Sequence, residues 1–149
     1  MKRTTLCFPI TDGKVLLAMK KRGFGMGKWN GPGGKVEAGE TPEQACVRET
    51  REETGLEVET LEHRGIIEFV YERMPEWDTE CHVFVATGAQ GIAAETEEMR
   101  PRWYAIADVP YGEMWEDDVI WLPGVLAGGM VHMRFYFDAQ DVLVRHETL

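Results

Sequence analysis

Apolar positions along this chain fall mostly into short, strand-length runs, and a helical period takes over only twice. Residues 4–10 and 15–19 are strand signals, joined by Thr11-Asp12-Gly13-Lys14, a tetrapeptide suited to a tight hairpin turn. Further strand signals follow at 57–64, 66–71, 81–87, 103–106, 131–137 and 142–145, and residues 72–80 read as a polar loop. One helix is expected over 42–54. A second lies within 117–127, with Pro123 in its first turn or kinking it. Many strands with two helices on opposite sides predict an α+β fold, and the 149 residues make one domain over 1–149, with no linker, repeat or low-complexity tract.

The first helix carries its own boundary signals. Thr41 is placed to be the N-cap, Pro42 suits the first helical position, Gln44 completes a capping box, and Gly55 suits a left-handed stop. At about 100° per residue, Glu49, Glu52 and Glu53 fall at about 0°, 300° and 40°, one acidic stripe, while Val47, Thr50 and Thr54 occupy the packing side. Like charges at these spacings cost about 0.2–0.5 kcal/mol per pair, so the stripe calls for a counter-charge. Carboxylate oxygens suit Mg²⁺ or Mn²⁺, and Mg²⁺ commonly shares its shell with water and substrate phosphates. Arg48 is spaced to pair with Glu52 or with Glu40, and the Gly31-Pro32-Gly33-Gly34 run lets backbone approach the same point, so that a glycine carbonyl could add a ligand.

Charge is unevenly distributed. The net charge of −10 argues against binding to polymeric nucleic acid. Yet residues 1–35 hold eight of the 16 lysines and arginines with a single acid, Asp12, which leaves a formal +7 there and −17 on the rest. Lys20, Lys21, Arg22, Lys28 and Lys35 flank the glycine run, where a phosphate chain could lie between them and a bound cation, or where they could simply guard a strand edge. With 44% hydrophobic residues and no apolar run near 18 residues, no membrane span is expected, and the N-terminal segment is too short and too soon broken to be a signal peptide, which makes a cytoplasmic address the default. Cys7, Cys46 and Cys81 lack paired spacing and read as reduced thiols. His63, His82, His132 and His146 show no ligand spacing and receive no catalytic role.

A second chemical cluster is Met114-Trp115-Glu116-Asp117-Asp118-Val119-Ile120-Trp121. Tryptophan can stack on a base, and adjacent carboxyls sharing a proton can donate and accept together, as needed to read the edge of a purine. The same pair ahead of an apolar helix also suits N-capping.

The spacing Gly34, Glu40, Arg48, Glu49, Glu52, Glu53, Gly55 would arise by chance with a probability on the order of 10⁻⁸ per starting point. It resembles the Nudix box, with Thr50 where an aliphatic residue is usual. That resemblance implies a metal-dependent hydrolase of a nucleoside diphosphate linked to another group, folded as an α/β/α sandwich around a mixed β-sheet.

Outside the box, Lys20 through Gly25, Lys28 through Gly31, Glu98-Met99-Arg100-Pro101 and Met114 through Trp121 resemble the MutT-type, oxidised purine nucleoside triphosphatase branch of that family. By this resemblance Asn30, Asp117 and Asp118 hydrogen-bond the base. Thr5, Phe24, Phe69, Trp115 and Trp121 form its pocket, and Lys20 stands near the wall. The Gly33 carbonyl with Glu49, Glu52, Glu53 and Glu98 holds the metal. Arg48 orients the carboxylates, and Glu52, Glu53 or Glu98 serves as base. Expected substrates are 8-oxo-dGTP and 2-oxo-dATP, cleaved by water attack on the β-phosphorus to the monophosphate and pyrophosphate, so that a monomer acting on small nucleotides would sanitise the nucleotide pool. Two departures, Pro32 in place of an aromatic and an altered loop over 73–80, are expected to reshape one pocket wall. A pyrophosphohydrolase of ADP-ribose or a related compound would keep the box without needing Asn30 and the Asp pair, and a non-catalytic nucleotide sensor would be expected to lose box glutamates.

Overall fold

The computed structural model describes all 149 residues. Strands β1 (Lys2–Thr11) and β2 (Lys14–Lys20) are followed by a short β3 (Trp29–Asn30) and helix α1 (Pro42–Thr54). Then come β4 (Glu57–Tyr71), β5 (Thr79–Gln90), β6 (Met99–Ala105), helix α2 (Asp118–Leu126), β7 (Val131–Phe137) and β8 (Leu143–Thr148). The strands form one mixed sheet in the order β3-β2-β1-β5-β4-β7-β8, with β6 along β2. The pairs β1·β5 and β4·β7 are parallel and the others antiparallel.

Side-chain alternation along the strands builds a core on each face. Phe8, Val15, Leu17, Val83 and Val85 point to the face covered by α2, where Trp121, Leu122 and Val125 complete the larger cluster. Their neighbours Cys7, Leu16, Phe84 and Ala86 point the other way and pack with Cys46 of α1 and Leu56. The helices therefore lie on opposite faces, as the pattern of elements implied. All three cysteines are buried and free.

The differences from expectation have local causes. The two segments 57–64 and 66–71 are one strand, because Gly65 adopts φ +126° at an irregularity that keeps β4 paired with both neighbours. A Cβ there would lie inside the Val131 carbonyl, so a side chain is excluded. Pro123 sits in the second turn of α2, beside half-exposed positions that tolerate the missing donor. Pro101 is accommodated within β6 because that strand pairs only with β2. The 72–80 segment contains a single 3₁₀ turn, Pro75–Trp77, before β5 begins.

Candidate functional site: an acidic cavity joined to an aromatic pocket

Helix α1 is capped as its sequence implies. Thr41 Oγ1 accepts from the Gln44 N–H at 3.1 Å, Gln44 Oε1 accepts from the Thr41 N–H at 2.9 Å, and Gly55 closes the helix at φ +80°. Ala45, Cys46, Thr50 and Thr54 are buried, so the glutamate stripe faces outward toward the glycine run. Arg48 ties that stripe together. Its guanidinium donates to Glu40 at 2.7 and 2.9 Å, to Glu49 at 2.8 Å, to Glu52 at 3.3 Å and to the Lys35 carbonyl at 3.0 Å. Arg48 thus pairs with both acids that spacing had offered it. Its hydrogen bond holds the Glu40 carboxyl down at about 2, with a backbone N–H adding to the effect.

The glycine run is an irregular strand laid against β1. The Thr5 N–H donates to the Gly34 carbonyl at 2.8 Å and the Cys7 N–H to the Pro32 carbonyl at 2.7 Å, while the Gly33 carbonyl makes no protein hydrogen bond. On the other side the Gly33 N–H donates to Glu53 at 3.0 Å. A Cβ on Gly33 would meet the Thr5 carbonyl at 1.9 Å, and one on Gly34 would meet the Glu49 carboxylate at 2.5 Å. Only glycine permits both approaches.

Glu49, Glu52 and Glu53 line a cavity of about 310 Å³ with Arg22, Thr96, Glu97, Glu98 and Met99. Glu98 lines the same cavity from a loop, with Arg22 3.3 Å from its carboxylate. Burial pushes Glu53 up to about 8 against the opposing Gly33 N–H, with Glu49 adding to the rise, and burial also raises Glu49. These acids line a common space without closing into a finished metal cage. Such a donor set fits a hard cation that keeps part of its water shell, and the raised Glu53 is the charge deficit such a cation would relieve.

A larger cavity of about 490 Å³ adjoins the first, and Glu53 and Met99 stand on the walls of both. Thr5, Lys20, Phe24, Asn30, Phe69, Trp115, Asp117 and Asp118 all line it. Phe24 is 67% exposed and stacks on Trp115 at 5.3 Å, and the Lys28 ammonium lies 5.1 Å from the Trp115 ring centroid. Asn30 Oδ1 accepts from the Gly31 N–H at 2.8 Å, which fixes the amide and leaves its NH₂ to donate.

Asp117 occupies the cap position of α2 but makes no cap hydrogen bond; instead it accepts from Trp121 Nε1 at 2.8 Å. The N-cap reading of the pair therefore does not hold. Both acids are buried, and Asp118 Oδ2 has no hydrogen-bond partner. Burial raises both above the ordinary carboxylate range, Asp118 the further because Asp117 stands beside it. A buried carboxyl kept protonated next to one that accepts is a donor and acceptor side by side.

The sequence matches the NUDIX domain over residues 1–125. The chain belongs to the Nudix family. It is 47% identical over 146 residues to the oxidized purine nucleoside triphosphate hydrolase of Danio rerio, covering 98% of this chain and 93% of that protein. The protein of the same name from Mus musculus is 42% identical over 142 residues, covering 95% and 90%. Among solved structures, the mutator MutT protein from Bacillus halodurans superposes with a TM-score of 0.87 at 28% identity, over 99% of this chain and 97% of that one. The mixed sheet between two helices is thus the Nudix fold, and the chain is a Nudix hydrolase, a family that generally uses a divalent metal. No helix is long and apolar enough to cross a membrane.

Several Nudix-based expectations need adjusting. Trp121 is not on the pocket wall: it is buried edge-on against Phe8 at 5.9 Å and works from behind, through Asp117. Pro32 is buried on the glycine run and supplies no part of the wall. Lys21 is held by Glu95 and the Thr96 carbonyl rather than facing either cavity. Tyr71, Phe137 and Asp141 line the pocket unanticipated. Tyr71 was findable, since it lies two residues beyond Phe69 on the same face of a strand. Phe137 and Asp141 arrive through the β4·β7 pairing, which leaves no local signal.

Proposed function

We propose that this Nudix hydrolase cleaves oxidised purine nucleoside triphosphates, with 8-oxo-dGTP the leading substrate and 2-oxo-dATP a second, to the monophosphate and pyrophosphate. One observation carries the reading: the aromatic pocket and the acidic cavity meet at Glu53, so a nucleotide with its base on Trp115 and the Asp pair would extend its phosphates over α1. The likeness to relatives named for oxidised purine nucleoside triphosphates supports the same assignment.

In this reading the base is held by the Asn30 amide donor, by Asp118 as donor and by Asp117 as acceptor, with Phe24, Phe69 and Trp115 around it. Lys20 acts on the charge of Glu53, where the phosphates would begin, while Lys28 lies at the base end against Trp115. Mg²⁺, or Mn²⁺ in its place, would be held by Glu49, Glu52, Glu53, Glu98 and the Gly33 carbonyl, and when bound it neutralises phosphate charge and acidifies water. Arg48 holds Glu49 and Glu52 in register. A carboxylate of Glu52, Glu53 or Glu98 takes the proton from the water that attacks the β-phosphorus. The retained box acids favour this over a sensor, and the buried Asp pair favours it over an ADP-ribose hydrolase.

Replacing Asp117 with Asn tests the base-reading role. It should change the order of preference among 8-oxo-dGTP, 2-oxo-dATP and dGTP while the Mg²⁺ requirement stays as it is; equal losses of kcat/KM across all three purines would count against it. Glu53→Gln should lower kcat by about 10²-fold or more with the fold intact.

A further inference from the structure

The loop over 73–80 is tied across the pocket end by a set of contacts unrelated to the acids of the smaller cavity. Arg73 donates to Asp141 through Nη2 at 2.6 Å and through Nε at 3.3 Å, a two-pronged ion pair linking the β4–β5 loop to the β7–β8 turn. The same guanidinium lies over the Trp77 ring at 4.8 Å. Trp77 stands edge-on to Tyr71 at 6.1 Å, and Tyr71 stacks on Phe137 at 5.1 Å with 14° between the planes. Tyr71, Phe137 and Asp141 all line the aromatic pocket. On its far side Trp77 reaches Phe24 at 6.4 Å, the exposed ring that stacks on Trp115.

The turn that presents Asp141 is itself built for the purpose. Asp141 adopts φ +61°, a conformation that costs energy for any residue but glycine and is borne best by Asp and Asn. Asp138 holds it there: its carboxylate accepts from the N–H groups of Gln140 at 2.9 Å and Val142 at 3.0 Å, and its carbonyl accepts from the Asp141 N–H at 3.0 Å. The loop end is pinned as well, since Asp78 Oδ1 accepts from the Tyr71 N–H at 2.9 Å. Two fixed supports thus meet in one ion pair, and the planar guanidinium both bridges carboxylate oxygens and stacks, which a lysine cannot reproduce.

The geometry points to Arg73, Trp77 and Asp141 as a clasp that holds the Tyr71–Phe137 wall at its spacing and thereby sets which purines the pocket accepts. Arg73 and Trp77 act as positioning residues, behind the wall, and Asp141 is both wall and anchor. The inference rests on the purine-triphosphate reading of the pocket. With the clasp broken, the wall loses its brace, and the pocket holds its preferred base less tightly while discriminating less against others. The acidic cavity and α1 are not part of this network.

Steady-state kinetics of the full chain with 8-oxo-dGTP and dGTP test this, alongside hydrogen exchange of the 72–80 amides. Arg73→Ala should raise KM for 8-oxo-dGTP by about five- to tenfold and narrow its preference over dGTP, with kcat within about twofold. Asp141→Asn keeps the left-handed turn while removing the charge, so it should act the same way without unfolding the turn. The double variant should be no worse than Arg73→Ala, because Asp141→Asn weakens only the ion pair that Arg73→Ala already removes together with the Trp77 stacking. Arg73→Lys should fall between wild type and Arg73→Ala, and exchange over 72–80 should quicken in both alanine and asparagine variants. Unchanged KM and preference in both single variants, a loss confined to kcat, or additive losses in the double variant each overturn the clasp. If the wild type fails to turn over 8-oxo-dGTP at all, the functional reading falls and the clasp with it; normal wild-type turnover beside unaltered variants removes the clasp alone.

Discussion

Gly34→Ala isolates the placement of one carboxylate from the stability of the fold. A Cβ at Gly34 would stand 2.5 Å from Glu49 Cδ and 2.7 Å from its Oε1, where ordinary contact begins at 3.4 Å. The carboxylate must therefore retreat by about 0.9 Å, and it is the free end of a side chain, so the backbone need not follow. Gly34 has no positive φ, so alanine adds no backbone strain. The retreat also disturbs the 2.8 Å bond from Arg48 to that same oxygen. A misplacement near 1 Å at a reacting centre costs about 10²-fold in rate, or about 2.7 kcal/mol in the barrier. The expected result is a kcat for 8-oxo-dGTP down by about 10²-fold, a higher Mg²⁺ requirement, and a Tm within about 4 °C of wild type. A variant with near-normal kcat and unchanged Tm would show that Glu49 need not sit where the structure puts it, and would remove it from the proposed metal site.

Gly33→Ala should behave in the opposite way: its Cβ would meet the Thr5 carbonyl at 1.9 Å, backbone against backbone, so the urea midpoint should fall by the equivalent of about 3 kcal/mol, and an unchanged midpoint would contradict the packing of the glycine run on β1. Asp118→Asn bears on pH. Because the folded protein raises the affinity of Asp118 for its proton, the native state binds more protons than the unfolded one, and stability is lost as pH climbs from the ordinary carboxylate range through the folded value. Asparagine, a neutral mimic, escapes that loss, so urea unfolding should show the variant more stable than wild type at pH 8 and nearly equal at pH 4; the reverse trend would mean that Asp118 is ionised in the fold. Trp121→Phe removes the donor to Asp117 and should cost about 2 kcal/mol of stability while blunting purine preference, whereas an unaltered preference would deny the Trp121–Asp117 bond a part in base reading.

The parts of this site that could be read from sequence are those whose information is local. Thr41, Pro42, Gln44 and Gly55 bound α1 through hydrogen bonds spanning at most four residues, and the helical period alone places Glu49, Glu52 and Glu53 together. The hairpin turn at Asp12-Gly13 is as local, with φ of +52° and +73°. The base pocket is different in kind. It gathers β1, the 20–30 segment, β4, the start of α2 and the β7–β8 turn, and only resemblance to a family connected Asn30 with Asp117 and Asp118 before the fold did so. Trp121 is assigned to the wall by resemblance alone, and a motif does not distinguish a wall from the brace behind it. The Asp117-Asp118 pair was ambiguous for a related reason: capping and base reading ask for the same residues at the same place, and only burial and the missing cap bond separate them. Gly65 reads as a break between two strands because glycine is a weak strand former, whereas β4 runs through it with register shifts against β5 at three points.

In the proposed function, a pocket joined to the acidic cavity at Glu53 aims the chemistry of α1 at oxidised purines. The most direct test is to measure pyrophosphate and monophosphate release from 8-oxo-dGTP and dGTP, and turnover of ADP-ribose, at equal concentration with Mg²⁺. 8-oxo-dGTP should be cleaved to 8-oxo-dGMP and pyrophosphate with a kcat/KM well above that for either of the others. ADP-ribose turned over as fast as 8-oxo-dGTP, or no pyrophosphate from the oxidised nucleotide, would contradict the proposed function.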